Sequence, residues 1–312
     1  MWTKLNPKML WGRPVQFDNY KRVDIQLKKG LTQGIVKKEL ANFEASTKRL
    51  SYANGLFYVF KTKAKHLEFK YKYHHSNKHD FYLARQAIVE PQLCGKSKET
   101  EKWILLNRMH INDQYFPGGA EKEYTIKYTF TEDFSEFQFC LPFGSVFYYI
   151  ETLSESKIEL IKPAEVKFGF LGSSIGSFIG TYACCLIPSQ LYRELGINSC
   201  NLSIPMTNSA IYDDVLCFVK SKQDIKWYLI DTMHMTLEGF NRLKNFNIKT
   251  ACINARVVAN YKFPNTNYIF EFDNPIYHRD HLHLTSAGAY AFILSLIPLL
   301  KEDLQNEKLS NN

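Results

Sequence analysis

The sequence changes its pattern once, near Pro163, and that change limits the folds open to it more than any other feature. Before it, short runs at 56–60, 66–73, 81–89, 103–106, 124–130 and 137–141 are rich in aromatic and β-branched residues, and several alternate strictly with charged ones. A period of two places one face of a strand on a core and the other in water. Turn material separates the runs, as in Ala53-Asn54-Gly55 and Pro117-Gly118-Gly119. The pattern predicts an antiparallel β-sandwich, completed by 143–150 and by 154–161 as a connection. From Val166 onward, apolar β-runs at 166–171, 199–204, 227–231, 250–254 and 268–272 alternate with helix-like stretches near 180–195, 209–219 and 237–245, ending in a helix from 285 to about 304. Strands alternating with helices predict a doubly wound parallel sheet covered on both faces. Pro188 within the first of those helices predicts a kink or a break. The domains are expected at 1–163 and 164–312, with the role of residues 1–50, including an amphipathic stretch at 31–50, left open.

Composition supports a folded chain and excludes several classes. A length of 312 residues is enough for one large or two medium cores, and 45% hydrophobic with 22% charged residues is ordinary for a globular protein. No apolar run approaches the roughly 18 residues that span a bilayer, and residues 1–7 lack the apolar core of a signal peptide, so a cytoplasmic location is expected. Seven cysteines without metal-type spacing fit free thiols, and the adjacent pair Cys184-Cys185 reads as packing. The net charge of +8 is uneven: residues 1–165 hold 26 Lys and Arg against 19 Asp and Glu. Such an excess could attract a polyanion, an anionic glycan or a nucleic acid. The alternation of those lysines with aromatics in strand-like runs favours a solvated surface, and a nucleic acid is not favoured. His74, His75, His79 and Asp80 could suggest a metal cluster but fit a solvated loop better, and no phosphate loop, dinucleotide fingerprint or zinc spacing occurs; no metal and no cofactor is expected.

The chemistry concentrates in two stretches. Val166 to Ser177 reads VKFGFLGSSIGS, a strand that breaks at Gly172-Ser173-Ser174 and would present a hydroxyl at its carboxyl end, where ligands bind in open α/β sheets. Near the other end, Asp280 and His283 stand three apart, followed by Thr285, Gly288 and an apolar helix. A serine at such a turn can be a simple helix cap, and a histidine before a helix can be a core or capping residue. The pairing of the two stretches favours a nucleophile and its base, with Ser173 as the fallback nucleophile and His278 and His281 as neighbours.

Gly172-Ser173-Ser174-Ile175 and Asp280-x-x-His283-x-Thr-x-x-Gly288 together resemble the first and last blocks of the SGNH (GDSL-type) hydrolases. The order of a sandwich followed by such a domain is similar to two-domain carbohydrate and acyl esterases with an N-terminal jelly-roll module. The resemblance implies acyl transfer: Ser174 attacks an ester carbonyl, His283 takes its proton, and Asp280 orients the imidazole. It also implies oxyanion donors from the nucleophile's backbone N–H, a Gly in the second block and an Asn in the third. Here Met206 falls at the Gly position, where only its backbone N–H is needed, and His234, in Ile230-Asp231-Thr232-Met233-His234, is the nearest donor in place of the Asn. Asp231 and His234 are equally compatible with structural roles, and the segment from Asn254 to Asp280 is short for the family.

Three functions follow as expectations. The first is a serine esterase removing a small acyl group, acetyl above all, from a carbohydrate or similar small ester. The second is an acyltransferase in which a sugar hydroxyl replaces water. The third is a glycan-binding protein in which the departures at Met206 and His234 have abolished turnover.

Overall fold

The computed structural model describes residues 1–21, 52–75, 91–106, 122–142, 144–173, 176, 181–204, 216, 225–230, 246, 248–254, 268–271, 275–277 and 283–310. The first half forms two antiparallel sheets. One has the order β1-β8-β3-β6, from β1 (Thr3–Lys4), β3 (His66–His75), β6 (Lys122–Thr129) and β8 (Ser145–Ser154). The other has the order β5-β4-β7-β2-β9, from β2 (Phe57–Lys61), β4 (Gln92–Ser97), β5 (Trp103–Leu105), β7 (Phe134–Cys140) and β9 (Glu159–Leu160). Alternation decides which side chains meet. Leu67, Phe69, Tyr71 and Tyr73 of β3 are buried, while the residues between them are partly exposed. Phe69 stacks on Phe139 of the other sheet at 4.2 Å and meets Phe60 of that sheet at 6.0 Å, so an aromatic core joins the two layers. On the outer face, Lys70 pairs with Glu151 and Lys127 with Glu68, so part of the positive charge is already matched.

Five of the expected strands of this half lie where the alternation places them, within a few residues. The run at 81–89 and the stretch at 31–50 lie outside the described residues. The interior strand β4, Gln-Leu-Cys-Gly-Lys-Ser, has no alternating aromatics and is not expected from pattern; it is held by β7 on one side and β5 on the other. Its Gly95 is required, because a Cβ there would lie 2.5 Å from the Phe134 ring.

The second half is a parallel sheet of order β11-β10-β12-β13-β14, from β10 (Val166–Leu171), β11 (Asn198–Asn201), β12 (Lys226–Leu229), β13 (Lys249–Asn254) and β14 (Tyr268–Glu271). In this order the first strand is flanked by the second and third, which creates a topological switch point at its carboxyl end. The fold is therefore α/β, a doubly wound parallel sheet preceded by antiparallel sheets. The first helix starts later than its pattern suggests. A 3-10 turn, Ala183–Cys185, precedes α1 (Ile187–Leu195), and Pro188 sits in the first turn of α1, where its missing N–H costs nothing. Pro188 thus starts the helix instead of kinking it, and Gly196, at φ +66°, ends it. The helices expected near 209–219 and 237–245 lie outside the described residues, except for buried Leu216. The last helix, α2 (Ser286–Ser310), buries Ala289, Phe292, Ile293, Leu296 and Leu300 on the sheet. No helix among the described residues is long and apolar enough to cross a membrane.

Gly169, in the middle of β10, lies under the Trp227 indole, and a Cβ there would come within 2.1 Å of the ring. Gly169→Ala is expected to destabilise the chain by about 2–3 kcal/mol, since β10 is held on both sides and Trp227 is buried. Urea unfolding checks this; an unchanged midpoint would mean that the indole moves freely.

Candidate active site

β10 delivers its end to the switch point under tight control. The Leu202 and Ile204 N–H groups donate to the Phe170 and Gly172 carbonyls at 2.7 and 2.9 Å, and the Ile230 N–H donates to Leu171 at 2.8 Å. Both neighbouring strands thus grip the last residues before Ser173-Ser174. Ser173 is buried.

Asn201, the last residue of β11, adds a clamp that pattern does not reveal. Its buried Nδ2 donates to the Gly176 carbonyl at 2.8 Å, and its Oδ1 accepts the Ser203 N–H at 2.9 Å. One side chain therefore ties the second block to the backbone two residues beyond Ser174. Asn201→Ala removes both bonds, and through misplacement of the turn it is expected to slow acylation of Ser174 by about 10–100-fold, read as the rate of labelling by a fluorophosphonate. A labelling rate equal to the wild type would show that the turn holds its shape without Asn201.

His283 is buried immediately before α2. Two of the other fixed residues of its motif, Thr285 and Gly288, have clear physical roles. Thr285 donates its N–H to the Tyr277 carbonyl at 2.9 Å and its hydroxyl to Ile276, while accepting the Gly288 N–H at 3.1 Å as the helix cap. Gly288 lets that turn approach, because a Cβ would lie 2.3 Å from the Tyr277 carbonyl oxygen. Thr285 and Gly288 together lock the start of α2 on the 275–277 turn, and with it the chain that carries His283.

The direction of α2 places that start. Near its far end, buried Asp303 pairs with Lys249, and its carbonyl accepts from Lys226 at 3.0 Å. These lysines are the first residues of β13 and β12, at the amino edge of the sheet. A helix rises about 1.5 Å per residue, so Ser286 lies about 25 Å from Asp303, toward the carboxyl edge where β10 ends. The chain leaving β10 also returns there: the Tyr182 N–H reaches the Ser286 hydroxyl at 3.4 Å. Among the described residues, then, the turn after β10 and the residues around His283 converge on one edge of the sheet. Ser174, Asp280, Met206 and His234 lie outside the described residues, as do His278, His281 and Asp231.

No family model matches the chain, and no curated protein matches it in sequence. Solved structures do match in shape. A protein described as a GDSL-like lipase from Bacteroides ovatus aligns over 98% of this chain and 98% of its own, at a TM-score of 0.66 and 15% identity. The chain has an SGNH/GDSL hydrolase-like fold. A second structure, the salicylyl-acyltransferase SsfX3 from a tetracycline biosynthetic pathway, covers 95% of the chain and 96% of its own at a TM-score of 0.51 and 12% identity. Both matches extend over the antiparallel sheets as well as the parallel one, so the two halves recur together in other proteins.

Proposed function

We propose that the chain is a serine esterase that removes a small acyl group, acetyl in the first instance, from a carbohydrate or a similar small ester. Residues 164–312 would carry the catalysis and residues 1–163 would shape the site or hold a glycan. The observation that carries the reading is the delivery of the His283 segment, by the direction and capping of α2, to the sheet edge where β10 ends before Ser174. In this mechanism the Ser174 Oγ attacks the ester carbonyl while His283 accepts its proton. Asp280 orients the imidazole and stabilises its cation. The backbone N–H groups of Ser174 and Met206, with His234 as the side-chain donor, would receive the oxyanion. His283 then protonates the leaving alcohol, and water, activated in the same way, hydrolyses the acyl-enzyme. Ser173, which is buried, is kept as the fallback nucleophile. An anionic glycan on the first half would be held by cations other than Lys70 and Lys127, which already face carboxylates.

A second reading, transfer of the acyl group to a sugar hydroxyl, has the salicylyl-acyltransferase match in its favour. The deciding experiment is labelling with a fluorophosphonate probe followed by peptide mapping. Label at Ser174 that is lost in Ser174→Ala and His283→Ala supports the serine mechanism, and acyl transfer to an added sugar then separates transferase from esterase. A folded wild type that takes up no label overturns the mechanism and leaves the glycan-binding reading.

A further inference from the structure

The junction between the antiparallel sheets and α1 holds a group of thiols that the proposed mechanism does not use. Cys94 of β4 and Cys140 of β7 face Cys184 and Cys185 of the 3-10 turn, where they form one buried cluster with Trp11, Phe57 and Val59. All four cysteines are free thiols, and the Cys184 and Cys185 sulfurs lie 3.9 Å apart. Arg193 of α1 spans the same junction, donating to the Gln138 side chain and to the Cys184 carbonyl.

The four thiols are not equivalent. Cys94, Cys140 and Cys184 are buried, whereas Cys185 is partly exposed. The hydrogen bond from Cys184 holds the Cys185 thiol below the ordinary thiol range, and the Arg193 charge and a bond with Ser286 act in the same direction against burial. The same Cys184–Cys185 bond pushes Cys184 upward. Within the adjacent pair, the member that solvent can reach is therefore the more readily ionised, and its partner thiol stands beside it; Cys94, drawn down by its bonds with Cys140 and Cys184, is enclosed. Nucleophilic and oxidisable cysteines have this environment, whereas inert structural ones are apolar and enclosed.

We propose that Cys184 and Cys185 form a peroxide-oxidisable dithiol site at the junction of the two halves. The Cys185 thiolate attacks one oxygen of hydrogen peroxide, the O–O bond breaks, and the departing hydroxide takes up the proton released on ionisation to become water. Cys185 is left as a sulfenic acid. The Cys184 sulfur then attacks the Cys185 sulfur, the S–O bond breaks, and a second water leaves with the Cys184 proton. Two thiols and one peroxide give one disulfide and two waters, with two electrons passing from sulfur to peroxide. The α-carbons of adjacent residues are about 3.8 Å apart, less than the usual separation across a disulfide. The bond is therefore strained and easily reduced, as reversible disulfides are. Cys94 touches Cys184 as well, but peroxide meets Cys185 first, and the thiol next to Cys185 is Cys184.

The full-length chain, reduced and freed of reductant, is treated with hydrogen peroxide, alkylated and mapped by mass. The expected product is a loss of two of the seven thiols, with the peptide containing Cys184 and Cys185 lighter by two hydrogens and restored by dithiothreitol. Cys184→Ser should leave Cys185 to oxidise irreversibly to the sulfinic acid, and Cys94→Ser should leave the disulfide in place. Two thiols that stay free while glutathione in the same tube is oxidised would overturn the proposal. A disulfide joining Cys94 to Cys184 or to Cys140 would overturn it equally.

Discussion

Alanine at Ser174 or at His283 is expected to lower turnover of an aryl acetate by about 10⁶-fold, and the double variant is expected to lose no more than either single one. The reason is that, in the proposed mechanism, nucleophile and base act in one event. Without the base, the Ser174 hydroxyl stays protonated and attacks poorly; without the hydroxyl, the base has no bond to assist. Asp280→Ala should cost less, about 10⁴-fold, because the imidazole remains and only its orientation and the stabilisation of its cation are lost. What survives in all three variants is the contribution of binding and of the oxyanion donors. Losses that add in the double variant would show that Ser174 and His283 act in separate steps. Wild-type turnover in Ser174→Ala would remove the serine mechanism altogether. His283 is buried, so circular dichroism melts of each variant separate a catalytic loss from unfolding.

The parts of this site that could be read in advance are those with local chemistry. Gly172-Ser173-Ser174 reads as a strand end because β-run and turn residues are adjacent in sequence, and β10 ends there, at Leu171. Thr285 and Gly288 belong to a recognisable pattern because capping and close approach act over a single helical turn. Asn201 could not be read in the same way. Its importance comes from Gly176, twenty-five positions away, and an asparagine at a strand end is equally at home in a turn. The one available signal was the run Asn201-Leu202-Ser203 in the second block, which begins at the end of β11. The direction of α2 was equally hidden, since it depends on Asp303 meeting Lys226 and Lys249 from separate strands.

The fold followed the same division. Strands with alternating aromatics, such as β3, announced themselves, because each residue's face is decided by its neighbours two positions away. β4 was silent, since it is buried on nearly every residue and small or polar at several of them, and only its partners β5 and β7 make it a strand. Pro188 was misread as a helix breaker because the sequence does not mark where the 3-10 turn at 183–185 hands over to α1. Cys184-Cys185 reads as packing until Cys94, Cys140 and Arg193 arrive from elsewhere in the chain.

Arg13→Ala is expected to destabilise the chain by about 4 kcal/mol. Arg13 is fully buried, and among the described residues it forms no ion pair with a carboxylate. Its five N–H donors are all used instead: Nε on Gln16, Nη1 on the Asn19 and Lys21 carbonyls at 2.7 and 3.3 Å, and Nη2 on the Pro7 and Phe17 carbonyls. One side chain thereby gathers a loop that has no strand or helix of its own from Gly12 to Lys21. Burial draws the guanidinium down to about 10, so it is still charged at neutral pH, and the wild type already bears that cost. Alanine relieves the cost but takes a donor from four partly buried carbonyls, of which Pro7 keeps the Leu10 N–H, which is why the loss is a few kcal/mol and not the sum of five ionic hydrogen bonds. The loop also connects the two halves. The Gly12 N–H donates to Asn198 at the start of β11, and the Trp11 indole donates to the Ile161 carbonyl. Arg13→Lys keeps the charge but supplies three donors from a single point, so it is expected to recover little of the loss. Urea unfolding of both variants decides the matter. A lysine variant within about 1 kcal/mol of wild type would show that charge alone, and not the planar set of five donors, holds the loop to the sheet.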